Sequence, residues 1–276
     1  MGRSLKDRLL KRATRWAISA DPATSVRRLA SVKKYWALPT EIALSDTVFS
    51  VSEGEARLFT ARASRIPNLM GGIERRLNTL RAEYLIDDGM IRPGDVVVDC
   101  GANIGEVSVI CAGQGAQVLA FEPDPIEFTA LQKNAEAARF EAFNLALWHS
   151  PGEMTFYDAN ESGDSSLIKP ATYDREIRVA TIALDQFEAL PEGRIRLIKL
   201  EAEGAEPEII RGMAETLGRT DYVTVDMGAE RGMSKDNTVA EVTDALYRLE
   251  FGLKRFSHVR MVGLFEARPG DGSTQT

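Results

Sequence analysis

Cysteine and histidine are nearly missing from this chain: 276 residues contain two of each, Cys100 and Cys111, His149 and His258. So few thiols exclude a disulfide framework and make a reducing cytoplasm the expected setting. So few nitrogen and sulfur ligands leave no set for a structural zinc. The acids can be assigned without a metal, so none is expected. Long hydrophobic runs are missing too. No stretch reaches the ~18 apolar residues that mark a membrane-spanning helix, and the N-terminus is charged where a signal peptide would carry its apolar segment. What remains is ordinary for a soluble globular chain, 44% hydrophobic and 27% charged. Its length suffices to bury a large core without staples.

Positive charge is concentrated at one end. The net charge is -7, but residues 1–36 hold ten Lys/Arg against two Asp, so they carry +8 and the rest carries -15. An acidic body argues against a broad nucleic-acid surface, and no nucleic-acid partner is expected. In "SLKDRLLKRATRWAISA", Leu5, Leu9, Ala13 and Trp16 recur at helical spacing with Lys and Arg on the other face. This basic amphipathic helix either packs on the body or on a second subunit, or lies on an anionic membrane surface. A cytoplasmic location is expected, with peripheral membrane contact or self-association through this helix. Pro22 and a second basic patch (Arg27, Arg28, Lys33, Lys34) follow. Residues 1–72 therefore read as an N-terminal extension and irregular lead-in, with short strands such as "TVFSVS" and "ARLFTA", and residues 73–276 as the main domain.

From "GGIERRLNTLRAEYLIDDGMI" onward the pattern turns regular. Ile73, Leu77, Leu80, Tyr84 and Leu85 give a helix, and "RPGD" ends it before a strand at Val96–Val98. "QVLAFEP" predicts a second strand, Asp124–Ala137 a helix, and "FEAFNLAL" a third strand. "GEMTFYDA" and "EIRVATIAL" are extended segments around the polar loop "NESGDSSLIKP". "IRLIKLEAEG" is a buried strand and "EPEIIRGMAETLG" a helix, followed by the strand "DYVTVDMG", the helix "NTVAEVTDALYRLEFG" and a closing hairpin, "LKRFSHVR" with "MVGLFEAR". Only the short polar tail "GDGSTQT" stands outside. Alternating βα units predict a doubly wound, Rossmann-like α/β sheet, mostly parallel, with an antiparallel terminal hairpin.

The chemistry starts at "VVVDCGANIGE". The dinucleotide fingerprint G-x-G-x-x-G does not fit, because three residues separate Gly101 from Gly105 and Asp99 stands where the first glycine belongs. An acid at the strand end repels a pyrophosphate but suits an ammonium or sulfonium group. The two glycines let the backbone approach a ligand closely, and the following helix offers amides to a carboxylate. Glu122, 21 residues after Gly101, stands where a ribose-binding carboxylate is expected. A ligand with an amino-acid end, a ribose and a base meets both acids: S-adenosylmethionine. Asn103 orients the glycine turn, and Asn144 and Ala146 lie where an adenine edge would pass.

The segments "PGDVVVDCGANIGE", "FEPDPIEFTALQKN", "NLALW", "GDSSL", "ATIALDQF" and "IKLEAEGAEPEIIRG", in that order over roughly residues 80 to 230, resemble the FkbM-type S-adenosylmethionine-dependent methyltransferases. The resemblance implies a class I methyltransferase with Asp99, Gly101, Ala102, Asn103, Gly105, Glu122, Pro123, Asn144 and Ala146 around the cofactor. It also implies methylation of a hydroxyl on a sugar, glycan or other polyhydroxylated metabolite. The family segment K-x-D-x-E-G reads Lys199-Leu200-Glu201-Ala202-Glu203-Gly204 here, with Glu201 in the aspartate place. A longer side chain there shifts substrate geometry or signals a different acceptor.

Ligands in open parallel sheets sit beyond the carboxyl strand ends. Glu201 and Glu203 end the fourth strand and are candidates for a general base or a clamp on acceptor hydroxyls. Glu203 and Glu206 equally suit a helix start. Lys199 is placed to pair with Glu201, Asp226 ends the next strand on the substrate side, and Ser165 and Ser166 either fold over the site or lie in solvent. His149 and His258 read as ordinary, partly buried histidines. Two rival functions stay open: a methyltransferase acting on nitrogen, although no N-P-P-Y-like motif follows the fourth strand, and a module that binds S-adenosylmethionine without turnover.

Overall fold

The computed structural model describes residues 5–19, 21–159 and 165–268; the tail "GDGSTQT" and Gly163 and Asp164 of the "GDSSL" loop lie outside them. The basic N-terminus folds as two helices, α1 (Leu5–Ala17) and α2 (Pro22–Trp36). Asp21 caps α2 by accepting from Thr24 N–H, with Pro22 at the first helical position, the arrangement helix starts favour. The two short strands expected in the lead-in, "TVFSVS" and "ARLFTA", form as β2 (Val48–Glu53) and β3 (Ala56–Thr60), and with β1 (Glu41–Ser45) they make an antiparallel meander. Its apolar side chains find a core. Leu29, Phe49, Val51 and Leu58 pack with Ile104 and Ala130 of the later chain, so residues 1–72 and 73–276 share one hydrophobic cluster.

Short α3 (Ile66–Leu69) and α4 (Ile73–Glu83) lead to β4 (Val96–Cys100), α5 (Glu106–Ala112), β5 (Gln117–Phe121), α6 (Pro125–Ala138) and β6 (Glu141–Phe143). Every residue of β4 is buried, as a strand covered on both faces must be. The predicted third strand breaks after Phe143. β6 stays in the main sheet, whereas β7 (Ala146–Leu147) joins β8 (Gly152–Asp158) and β9 (Arg175–Ile182) in a separate sheet. Asn144 causes the departure: its side-chain amide donates to the Glu122 and Pro123 carbonyls at 2.8 and 3.0 Å, pinning the turn to the end of β5.

β10 (Ile195–Leu200), α7 (Glu206–Arg211), α8 (Ala214–Leu217), β11 (Thr220–Asp226), α9 (Val239–Arg248), β12 (Phe251–Ser257) and β13 (Val262–Ala267) complete the chain. The single helix expected over 206–218 is broken at Gly212, where a Cβ would stand 2.0 Å from the Trp148 carbonyl oxygen. The main sheet runs β12-β13-β11-β10-β4-β5-β6; β13 alone is antiparallel to the rest, lying between β11 and β12, which run in the common direction. Strand order reverses between β4 and β10, and that switch point is where an open α/β sheet holds its ligand.

Asn134 of α6 locks the meander to this sheet. Its amide exchanges hydrogen bonds with both Phe59 N–H (2.8 Å) and Phe59 O (2.9 Å), and donates to Ile104 O at 2.7 Å. The side chain thus does for the edge of β3 what another strand would do.

Candidate active site

A cleft of about 290 Å3 opens at the carboxyl ends of β4, β5 and β10. Gly101, Ala102, Asn103, Glu122, Pro123 and Ala146 line it, as do Lys199, Glu201 and Glu203. The glycine turn is shaped by close approach. Gly101 has φ +68°, and a Cβ there would stand 1.8 Å from the Glu201 carbonyl oxygen, so no other residue fits. Its N–H and that of Ala102 donate to Phe121 O at 3.0 and 2.9 Å. Gly105, the N-cap of α5 at φ +86°, has Leu131 where its Cβ would be.

Glu122 is nearly wholly buried. Its Oε2 accepts from Asn103 N–H and its Oε1 from Asp124 N–H, both at 2.8 Å. Burial pushes the carboxyl up to about 8 against these amide donors. A carboxylate offers about four acceptor positions, so capacity remains for the two hydroxyls of a ribose, and their donation favours its ionised form. A folded Glu122→Ala variant is expected to bind S-adenosylmethionine at least ~10-fold more weakly, since charge-assisted hydrogen bonds contribute roughly 1.5–3 kcal/mol each. Calorimetry checks this, and an unchanged dissociation constant would place the ribose elsewhere. Proton linkage gives a second reading. Adenosine has a ribose but no amine titrating near neutrality, so its affinity should rise with pH up to the Glu122 value of about 8 and level off above it. The raised value also means that Glu122 weakens the fold progressively as pH climbs from 4.5 to about 8.

Asp99 and Asn144 do not reach the cleft. Asp99 is fully buried, accepts from Ser108 Oγ at 2.7 Å, and pairs with Lys199 Nζ at 3.2 Å. An acid at this strand end does hold an ammonium, but a resident one. Lys199 also donates to the Cys100 and Gly101 carbonyls at 3.2 and 2.7 Å. Burial alone would lower the lysine, yet Asp99 and Glu201 beside it hold it well above its ordinary value, so it stays charged. Asn144 is spent on the turn described above, and Leu145, Ala146 and Leu147 line the cleft instead.

Glu201 lies among cations. Its Oε2 is 3.1 Å from Lys199 Nζ, and its Oε1 accepts from Arg260 Nη2 at 2.6 Å. Burial would raise its carboxyl, but Lys199, Arg260 and a hydrogen bond with the Tyr84 hydroxyl bring it down to about 2. Asp226 stands behind this layer. It is buried, outside the cleft lining, and accepts from Gly228 N–H at 3.1 Å and Arg260 Nε at 3.1 Å. Its part is to anchor Arg260 rather than to face a substrate. Glu203 takes a left-handed conformation (φ +51°), and its carbonyl accepts from Ser166 Oγ at 3.0 Å, which ties Ser165 and Ser166 to the cleft wall. Glu206 serves the turn: it accepts from Ala202 and Gly204 N–H at 3.0 and 3.1 Å and from Thr238 Oγ1 at 3.1 Å.

Three cleft residues escaped the sequence reading. Tyr84 enters it only as part of a helical apolar period, yet its ring lies 5.3 Å from Lys199 Nζ and 5.1 Å from the Arg260 guanidinium. Arg260 comes from the terminal hairpin. Arg62 follows β3 and reaches three buried acids. It pairs with Asp124, with Glu127 at 3.1 Å, and with Asp158 at 3.0 Å. Asp124 is the N-cap of α6 and directly follows Glu122-Pro123.

Residues 99–262 match the family model described as the Methyltransferase FkbM domain. The chain is 29% identical over 213 residues to Hexuronic acid methyltransferase AglP of Haloferax volcanii, spanning 75% of this chain and 84% of that protein. It is 27% identical over 187 residues to 2-O-methyltransferase NoeI of Sinorhizobium fredii, spanning 60% of this chain and 76% of that one. Among solved structures it shares 13% identity and a TM-score of 0.42 with magnesium protoporphyrin IX methyltransferase of Synechocystis PCC 6803 with bound S-adenosylmethionine, over 72% of this chain and 80% of the other. With the family model spanning the glycine turn, Glu122 and the Lys199–Glu201 strand end, the chain belongs to the FkbM methyltransferases and is a methyltransferase that uses S-adenosylmethionine.

Proposed function

We propose that the acceptor atom is a hydroxyl oxygen on a sugar, glycan or other polyhydroxylated molecule. The observation that carries this reading is Glu201, ionised in the cleft between Lys199, Arg260 and Tyr84. The names of the two relatives above, a hexuronic acid methyltransferase and a 2-O-methyltransferase, support a sugar and an oxygen acceptor. S-adenosylmethionine supplies an electrophilic sulfonium methyl, and the protein contributes alignment. With a carboxyl at about 2, Glu201 retains almost no proton at neutral pH. It accepts the hydrogen bond of an incoming hydroxyl and thereby aims an oxygen lone pair; as the oxygen takes the methyl, its proton passes along that hydrogen bond to the carboxylate and on to water. Lys199 and Arg260 fix its two oxygens, so the acceptor meets a carboxylate of set orientation.

Incubation with methyl-labelled S-adenosylmethionine and a panel of hexuronic acids, neutral sugars and short glycans tests the assignment by mass spectrometry. The expected product is a methyl ether that survives mild base, formed together with S-adenosylhomocysteine. A base-labile methyl ester or a methylated nitrogen would overturn it. Turnover is expected to persist in EDTA, because the acids described here are satisfied by Lys199, Arg260, Arg62 and backbone amides. Loss in EDTA with recovery on added magnesium would refute that.

A further inference from the structure

We propose that the outer face of the α1–α2 hairpin docks on the surface of an anionic lipid bilayer. The face is built from exposed aromatic and apolar side chains ringed by cations. Trp16 is 63% exposed, Tyr35 83% and Leu9 49%. Leu9 and Trp16 are two helical turns apart and share one side of α1, while Thr14 and Ala17 are buried on the opposite side. The Arg28 guanidinium lies 5.0 Å from the Trp16 ring centre and bridges the two helices, and Tyr35 follows Arg28 by two turns along α2. Arg12, Arg15, Arg27 and Lys34 are exposed around these side chains. Among the described residues, the ion pairs of the hairpin are Arg27 with Asp21 at 4.0 Å and Lys33 with Glu41. Arg12, Arg15, Arg28 and Lys34 are left for an outside partner.

Charge and ring chemistry select the partner. Tryptophan and tyrosine place their rings at the headgroup level of a bilayer, and each nearby Lys or Arg adds attraction to anionic lipid. Residues 37–276 carry -15 against +8 for residues 1–36, so an anionic surface attracts this face and repels the rest, which fixes the orientation of docking. A nucleic acid would use the cations but gives Leu9 no apolar surroundings.

The test uses the full chain with vesicles of phosphatidylcholine alone or with roughly one-third phosphatidylglycerol, read by co-sedimentation at low and high salt. Binding is expected on the anionic vesicles only, weakened by salt, with a blue shift in tryptophan emission that the Trp16→Phe variant loses. The double variant Arg12→Gln/Arg15→Gln should partition about tenfold more weakly or worse, and Trp16→Ser should also weaken partition. These positions do not line the cleft, so turnover on a soluble acceptor and the circular dichroism spectrum should stay unchanged. No binding to anionic vesicles, or equal binding to neutral ones, would overturn the proposal. So would sedimentation showing a dimer, or a random oligonucleotide bound more tightly than vesicles, if the same substitutions abolished it.

Discussion

Glu201→Gln is expected to lower turnover by ~10²-fold or more, the usual size of a positioned acid–base group, while the affinity for S-adenosylmethionine changes little. The substitution keeps the side-chain shape and removes its charge. Lys199 keeps Asp99 at 3.2 Å, and Arg260 keeps Asp226 at 2.9 Å and Glu83 at 3.2 Å, so neither cation is stranded and the fold should survive. The Glu122 and glycine-turn end of the cleft, where the cofactor is expected, is untouched. Glu201→Asp should be milder, because the charge remains and only one methylene is lost. The pH profile separates an ionised clamp from a titrating base. Glu201 sits at about 2, below its ordinary 4.5, so the stability it adds is complete above 4.5 and is lost only as pH falls through about 2. Its protonation therefore cannot produce an acidic limb near neutrality. A limb near 7 or 8 comes from groups other than Glu201, among them Glu206 and Glu122, which burial raises to about 7 and about 8, and the cofactor amine, and it should persist in Glu201→Gln. Full turnover in this variant would make the acid structural. A matching loss of cofactor affinity would move Glu201 to the cofactor end of the cleft.

The parts of this site that were legible in the sequence are those with a fixed spacing to a strand end. Gly101 and Glu122, which line the cleft, could be singled out because tight βα turns and the acids that follow them occur at set distances along the chain, and Glu201 because a family segment marks its place. Asp99 was located by the same logic but assigned the wrong ammonium. Sequence spacing shows an acid at the end of β4, but not that Lys199 reaches it from the neighbouring strand, because register is set by the sheet. The break between β6 and β7 was illegible for a related reason: "FEAFNLAL" is continuously extended in character, and only the bond from Asn144 to two carbonyls turns the chain out. Arg260 and Arg62 carry no spacing signal at all. Each is a single arginine far along the chain from the acids it serves: Arg260 lies 59 residues from Glu201, and Arg62 62 residues from Asp124. Two cues existed for them. "ARASR" places two arginines beside an apolar strand, and an acidic cleft needs cations from somewhere.

Arg62 is where the largest effect on stability is expected. Its guanidinium is the shared counter-charge of Asp124, Glu127 and Asp158, whose side chains are all buried. Removing one partner of a buried ion pair strands the other charge and costs about 3–5 kcal/mol. Arg62→Met, which keeps the bulk and loses the cation, should destabilise the fold by about that much in chemical denaturation. Arg65 remains 3.3 Å from Glu127 and Arg175 2.7 Å from Asp158; Asp124 has no second ion pair among the described residues and should suffer most. Asp124 N–H also holds the Glu122 carboxyl at 2.8 Å, so the loss should spread to Glu122 and is expected to weaken adenosine binding. Arg62→Lys should recover only part, because a point charge cannot fork to three carboxylates. The pH dependence gives the argument its sign. Burial already raises the Glu127 carboxyl against Arg65 and Arg62; without Arg62 that rise is larger, so the variant loses stability relative to wild type as pH rises and recovers toward it as pH falls. High salt should recover little, because buried charges are weakly screened. If Arg62→Met matched wild type within about 1 kcal/mol at neutral pH, well short of the cost of an uncompensated buried charge, and bound adenosine normally, the cluster would be satisfied by Arg65 and Arg175 alone. The N-terminal meander would then contribute packing to the cleft but no charge.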